Sequence, residues 1–325
     1  MKRNAPDFWW QPSFQAWLLW PISWLYRLLT SLRRLAYRIG LFKRYRAPVP
    51  VIVVGGILVG GSGKTPFTLW LVELLRKSGY QPGVVLRGYG GKSPHWPRRV
   101  EADSDPAQVG DEAVLIARRT GVPVCAGPKR RESVQHLVEQ GCDVIVSDDG
   151  LQHYALDRNI EIAVVDGRRR FGNRMLLPAG PLREPISRLN KVHWVISNGP
   201  NQRGEYRMDL RGDVLKRLDG AREAKLTAWQ GRAVHALAGI GDPRRFFATL
   251  RRAGLQVQEH PFPDHHDFTG EDLNFTPPLP LVMTEKDAVK CIPLAPPDAD
   301  LWYLPVSAKV DARLERLILK ELESL

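Results

Sequence analysis

The run from Gly55 to Pro66 reads GGILVGGSGKTP and carries the most specific chemistry in the chain. A glycine-rich turn ending in Gly-Lys-Thr lets backbone N–H groups converge on a phosphate chain. Lys64 would then reach the β- and γ-phosphates, and the Thr65 hydroxyl would ligate Mg²⁺. A strict phosphate loop places glycine five residues before Gly63, where this chain has Leu58. The pattern is therefore a variant whose spare glycines are Gly60 and Gly61. The candidate nucleotide loop comprises Leu58, Val59, Gly60, Gly61, Ser62, Gly63, Lys64 and Thr65. A dinucleotide fingerprint is excluded, because its glycine spacing is missing and Lys-Thr would have no role there.

Carboxylates and imidazoles recur at three further places. Asp148 and Asp149 close an apolar run, Val144-Ile-Val-Ser147. At the end of such a strand an aspartate stands beside the metal of a bound nucleotide, and adjacent side chains point apart. Asp111 and Glu112 follow Gly110 at the head of a helical stretch, which is also an ordinary helix-start preference. Asp264-His265-His266-Asp267 lies on a loop. As a metal site it lacks a third spaced ligand, so a histidine oriented by a carboxylate for proton transfer is the better reading. The arginine-rich loops Arg168–Arg170 and Leu177–Pro185 fit either a solvated surface or a grip on an anionic substrate.

These residues need a scaffold. Apolar β-branched runs near 51–54, 83–86, 143–147 and 160–166 alternate with helical spacing, as over Phe67–Lys77. That alternation predicts an α/β fold with a mostly parallel sheet flanked by helices. Residues 196–230 are polar and glycine-bearing and read as a connection. Strand patterns at 233–240, 281–284 and 301–306, with helices at 245–254 and 313–325, predict a smaller C-terminal α/β domain. The expected division is 1–46 as a membrane-interface segment, 47–228 as the nucleotide-binding core, and 229–325 as a domain closing over the nucleotide.

The chain has 325 residues and a formal net charge of +12, unevenly spread. Residues 1–46 hold nine basic side chains and one acid, leaving only +4 for the remainder. The same segment carries Trp9, Trp10, Trp17, Trp20 and Trp24. Its apolar run, Trp17–Tyr26, is too short to span a bilayer. At helical spacing Leu25, Leu28, Leu29, Leu32, Leu35, Ala36 and Ile39 share a face opposite Arg27, Ser31, Arg34 and Arg38. That is the pattern of a helix lying in a membrane interface. Docking on the protein's own core is the bland alternative. A signal peptide would need a small-residue cleavage site, and a nucleic-acid arm would not pair five tryptophans with a leucine stripe. Three scattered cysteines exclude a disulfide framework and suit a reducing compartment.

Taken together, VGGILVGGSGKTP at 54–66, LRGYG at 86–90, GDE at 110–112, DDGLQH at 148–153, LLPAGPLRE at 176–184, DHH at 264–266 and MTEKDAVK at 283–290 resemble the bacterial tetraacyldisaccharide 4′-kinase family. The resemblance covers the chain from the amphipathic helix onward. DDGLQH and PAGPLRE are specific to that family, whereas the phosphate loop is not. Gly56, Leu58 and Ser62 stand where many members carry Asn, Thr and Thr.

The resemblance implies a P-loop kinase-like fold and transfer of the ATP γ-phosphate to the 4′-hydroxyl of an acylated disaccharide 1-phosphate lipid, with Mg²⁺. The product would be lipid IVA, in lipid A biosynthesis, made by a monotopic enzyme on the cytoplasmic face of the inner membrane. By motif, Asp111 and His265 would form the proton-accepting dyad, with Lys64 on the phosphates and Asp148 and Asp149 serving the metal. Arg87, Tyr89, His153, Arg183 and Glu184 would face the disaccharide. No nucleic-acid or obligate protein partner is expected. A membrane-associated ATPase that switches partners is the alternative. A GTPase is disfavoured, since Asn190-Lys191-Val192-His193 lacks the guanine-reading aspartate.

Overall fold

The computed structural model describes residues 6–11, 13–296 and 298–325; Lys2 and Arg3 of the basic segment lie outside them. Strands β1 (Val51–Gly55), β2 (Pro82–Leu86), β3 (Arg98–Val100), β4 (Val124–Ala126), β5 (Val144–Ser147), β6 (Ile160–Asp166), β7 (Trp194–Asn198) and β8 (Tyr206–Arg211) build most of one sheet. β9 (Val214–Arg217), β10 (Glu223–Lys225), β11 (Ala233–Ala238), β12 (Gln256–Pro261), β13 (Leu281–Thr284) and β14 (Leu301–Leu304) build a second, and β15 (Ser307–Val310) returns to the first. The helices are α1 (Phe14–Arg38), α2 (Lys64–Lys77), α3 (Pro106–Val109), α4 (Asp111–Thr120), α5 (Arg130–Glu139), α6 (Pro243–Arg252), α7 (Glu285–Cys291) and α8 (Ala312–Glu323).

The nine-stranded sheet runs β15-β8-β7-β6-β1-β5-β2-β4-β3, parallel except at its two edges. Central β1 is buried at every position, between β5 and β6 with helices over both faces, which is why it reads as continuous Val and Ile. Strand order reverses around β1. The carboxyl ends of β1 and β5 therefore open onto the crevice where doubly wound sheets bind ligands. The six-stranded sheet, β10-β9-β14-β13-β11-β12, is parallel over β14-β13-β11-β12, with β9 and β10 antiparallel.

Two expectations change. The polar stretch 196–230 is not a connection: it contains β8, β9 and β10 and ends β7. Near a sheet edge one strand face meets solvent, so polar residues mask the period. The C-terminal part also does not stay in the second domain. β15 pairs with β8, and Leu314, Ile318 and Leu322 of α8 join the same core cluster as Phe67, Leu71 and Leu75 of α2. The second unit thus spans about 212–306, inserted between two parts of the first. Its core gathers Val234, Ala236, Phe247, Leu250 and Trp302.

Helix α1 begins at Ser13, whose side chain accepts from the Ala16 amide. It contains Pro21 and buries only Ala16, Ser23 and Ala36. Its apolar stripe faces outward: Phe14 is 81% exposed, Trp17 58% and Leu29 58%. Ala36, expected on that stripe, turns inward instead. Among the described residues no helix is long and apolar enough to cross a membrane.

Candidate active site

β1 delivers the glycine-rich turn to the crevice, and α2 starts at Lys64. Gly63 caps it with φ +94°, and a Cβ there would stand 2.6 Å from Asn198 Nδ2. Only glycine fits both the left-handed backbone and that contact. Asn198, at the end of β7, donates to the Ser62 carbonyl at 3.2 Å. Ideal Cβ positions at Gly60 and Gly61 meet nothing within 4 Å, so the turn rims open space. The buried Ser62 hydroxyl has no hydrogen-bond partner among the described residues. Leu58 departs from its expected place: its side chain packs with Ile57 and Leu182, leaving the cleft wall to Val59–Thr65.

The paired aspartates after β5 do separate jobs. Asp148 is buried and accepts from the Thr68 hydroxyl at 3.0 Å. Burial, with Glu112 and Asp149 nearby, pushes its carboxyl up to about 7. Asp149, at φ 45°, turns the other way and meets Lys64 at 3.6 Å and Arg183 at 3.0 Å. Burial would raise the Asp149 carboxyl, but Lys64 and Arg183 together hold it below its ordinary value. Arg130, unnoticed in the sequence, is fully enclosed beneath them and donates to the Asp148 and Asp149 carbonyls at 2.6 and 3.2 Å.

On the opposite wall the Asp111–His265 pair closes across 154 positions, Nδ1 to Oδ2 at 2.9 Å. Asp111 opens α4 and is 4% exposed. Gly110 before it has φ +93°, and a Cβ there would lie 2.5 Å from the Tyr89 carbonyl. That contact seats the Arg87–Tyr89 loop against the head of α4. Burial alone would raise the Asp111 carboxyl; Lys286, the His265 hydrogen bond and Lys290 outweigh it and drive it far below the carboxylate range. The Tyr89 ring stands edge-on to His265 at 5.2 Å. Lys286 on α7, part of the MTEKDAVK motif but without a role from the sequence, lies 3.2 Å from His265 Nε2. Its neighbours come from two segments far from α7 in sequence, the head of α4 and the loop at Asp264–His265, so no local spacing could reveal the contact.

A single cleft of about 1710 Å³ joins the phosphate loop, Arg87, Tyr89, Asp148, Asp149, His153, Arg183, Glu184 and His265. Arg33, Arg130, Arg168, Arg169, Arg244, Arg245 and Arg252 also line it, so its basic side chains outnumber its carboxylates. Burial, with Arg130 and Arg158 beside it, pushes the His153 imidazole down to about 4. Glu184 is 5% exposed, and Gln152, Tyr154 and Arg188 engage its carboxylate. It belongs to the wall more than to the open face. Arg169–Asp242 at 2.7 Å and Arg245–Asp166 at 2.8 Å tie the two units beside the loop.

A phosphate loop at the switch point of a parallel sheet, faced by a carboxylate–imidazole pair, defines an enzyme of the P-loop phosphotransferase class. A family model described as tetraacyldisaccharide-1-P 4′-kinase matches residues 15–323, so this chain belongs to that family. It is 51% identical over 312 residues to the tetraacyldisaccharide 4′-kinase of Methylobacillus flagellatus, covering 95% of this chain and 92% of that one. It is 53% identical over 324 residues to that of Aeromonas salmonicida, covering 98% and 96%. Its fold matches a crystal structure of the "apo" form of LpxK from Aquifex aeolicus in complex with ATP. The TM-score is 0.80 at 29% identity, covering 94% of this chain and 99% of that one.

Proposed function

We propose that this lipid A kinase transfers the γ-phosphoryl group of ATP to the 4′-hydroxyl of a tetraacylated disaccharide 1-phosphate while lying on the cytoplasmic face of the inner membrane. The observation that carries this reading is the position of His265, backed by the buried Asp111, in the same cleft as Lys64. A sugar hydroxyl is a weak acid, so an imidazole backed by a carboxylate is a suitable acceptor for its proton. Lys64 and the amides of Val59–Thr65 would hold the triphosphate, which fits the open cradle at Gly60–Gly61 and the orphaned Ser62 hydroxyl. Arg87, Tyr89, His153 and Arg183 would meet the disaccharide and its phosphate, with Glu184 holding the wall behind them.

Thr65, Asp148 and Asp149 fit a Mg²⁺ site, since a hydroxyl and two carboxylates are hard oxygen donors. Among the described residues no cluster of three His, Cys, Asp or Glu side chains could hold a metal alone, so phosphate oxygens would complete the shell. The ion would neutralise phosphate charge as it builds. The exposed Trp and Leu stripe of α1 supports interfacial binding, and Tyr26, Thr30 and Arg33 on its other side line the cleft. An acylated substrate could then keep its chains in the bilayer while its sugar enters the cleft.

The decisive assay is transfer of label from γ-labelled ATP to the acylated disaccharide 1-phosphate in mixed micelles. Labelled lipid in proportion to ATP consumed is expected. ATP consumption independent of the lipid would instead favour the partner-switching ATPase, which the family relationship does not favour.

A further inference from the structure

Lys286 Nζ lies 3.2 Å from His265 Nε2, 3.3 Å from Asp264 Oδ1 and 3.4 Å from Glu112 Oε1. An ammonium has three donors and no acceptor. At this contact His265 Nε2 must therefore be the acceptor, and the imidazole hydrogen resides on Nδ1, which donates to Asp111 at 2.9 Å. The lone pair that would receive the sugar proton is the one Lys286 covers.

We propose that Lys286 is a positioning residue for the Asp111–His265 pair. It selects the Nδ1–H tautomer in the substrate-free cleft and yields Nε2 to the acceptor hydroxyl when substrate arrives, keeping its hold on Glu112 and Asp264. The inference rests on the proton-accepting role proposed for Asp111 and His265, and deepens it. During transfer the hydroxyl oxygen forms the new bond to phosphorus, and its proton ends on Nε2. The bond from phosphorus to the bridging oxygen breaks with its electron pair remaining on ADP.

A simple tie between domains does not account for the arrangement. Helices α4 and α7 are already joined by Arg119, whose Nη1 meets both Glu285 carboxylate oxygens at 2.9 and 2.8 Å. That pair does not touch His265. Lys290 and Asp287 on α7 and the Tyr89 ring stand around the pair, and Asp264 Oδ1 lies 3.8 Å from His265 Nε2. Asp111 keeps a hydrogen on Nδ1, but without Lys286 the Asp264 carboxylate 3.8 Å from Nε2 would draw a hydrogen there as well, and an Nε2 that carries a hydrogen cannot accept a proton.

The test uses the full chain labelled with ¹⁵N-histidine, reading the His265 tautomer from long-range ¹H–¹⁵N correlations assigned with His265→Gln. The wild type should show a protonated Nδ1, and Lys286→Met a hydrogen on Nε2 as well. In turnover, Lys286→Met should lower kcat roughly 10- to 100-fold with the KM for ATP unchanged. Lys286→Arg should recover much of that loss, and Arg119→Ala should cost far less. An unchanged tautomer in Lys286→Met, or a kcat loss no larger than that of Arg119→Ala, would overturn the proposal. If Lys286→Met folds poorly, combining it with Glu112→Gln removes the carboxylate left unpaired, and the same spectrum decides. Full turnover in His265→Ala would sink the dyad reading instead, while the spectrum still judges Lys286.

Discussion

The Tyr26 hydroxyl donates to the Arg183 carbonyl at 3.1 Å, fastening the helix with the exposed apolar stripe to a loop of the cleft. Ser23, one turn earlier, donates to the Leu176 carbonyl at 2.8 Å and accepts from the Ala179 amide at 3.0 Å. Arg183 in turn meets Asp149, which meets Lys64. Helix α1 is thus joined through hydrogen bonds and ion pairs to the phosphate loop. Ser23→Ala would take the acceptor from the buried Ala179 amide, while the Leu176 carbonyl keeps the Gly180 amide at 2.9 Å, and should cost about 1–3 kcal/mol. A melting temperature equal to wild type would show that the joint bears no load.

Because the stripe faces outward, membrane binding can be tested without deleting α1. Replacing Trp17, Leu25, Leu28 and Leu32 by Ser should release the protein from anionic liposomes and raise the KM for lipid more than that for ATP. High salt should weaken wild-type flotation by screening the arginines. Flotation undiminished by the four substitutions would assign the stripe another use.

Lys64→Ala should lower turnover by about two orders of magnitude or more, through lost stabilisation of the transferring phosphoryl group. Circular dichroism should show an intact fold, since among the described residues the Lys64 ammonium makes only the 3.6 Å contact to Asp149 and a 3.5 Å contact to the Gly60 carbonyl. Near-normal turnover in that folded variant would refute the nucleotide assignment.

Asp111 and His265 should behave as one unit in single-turnover rates. Either change to Ala should reduce the rate roughly 10²–10⁴-fold, and the double variant should be scarcely worse than the worse single. His266→Ala is the control: its Nε2 faces Asp272 at 3.3 Å, away from the pair, so its rate loss should be mild. Multiplicative losses would mean two unrelated contributions.

His153 gives a pH prediction. Its imidazole falls from an ordinary 6.5 to about 4, chiefly through burial, then Arg130 and Arg158. The unfolded chain therefore takes up a proton near 6.5, whereas the folded one resists until about 4. Its contribution to stability is complete above pH 6.5 and is lost as pH falls from 6.5 to 4. Thermal melts across that window should decline less steeply for His153→Gln than for wild type. Parallel curves would mean that His153 titrates normally in the fold.

The phosphate loop was legible because its information is local: a β-branched strand, a glycine turn and an apolar-spaced helix occupy one stretch, Val51–Lys77. The helix at Phe14–Arg38 was legible for the same reason, from its periodicity. What that helix faces was not. Only packing decided that Ser23 and Ala36 turn inward while Trp17 and Leu29 do not. The motifs pointed to Asp111 and His265, but whether they touch depends on two sheets meeting across a cleft. Lys286 stood in the MTEKDAVK motif without a role, since its partners Glu112, Asp264 and His265 come from α4 and a loop far from α7. The return of β15 and α8 to the first sheet was hidden likewise. Short-range spacing specifies elements because neighbouring residues share one backbone geometry. Pairing between distant segments is fixed by which faces bury each other, and that is settled only when the whole chain packs.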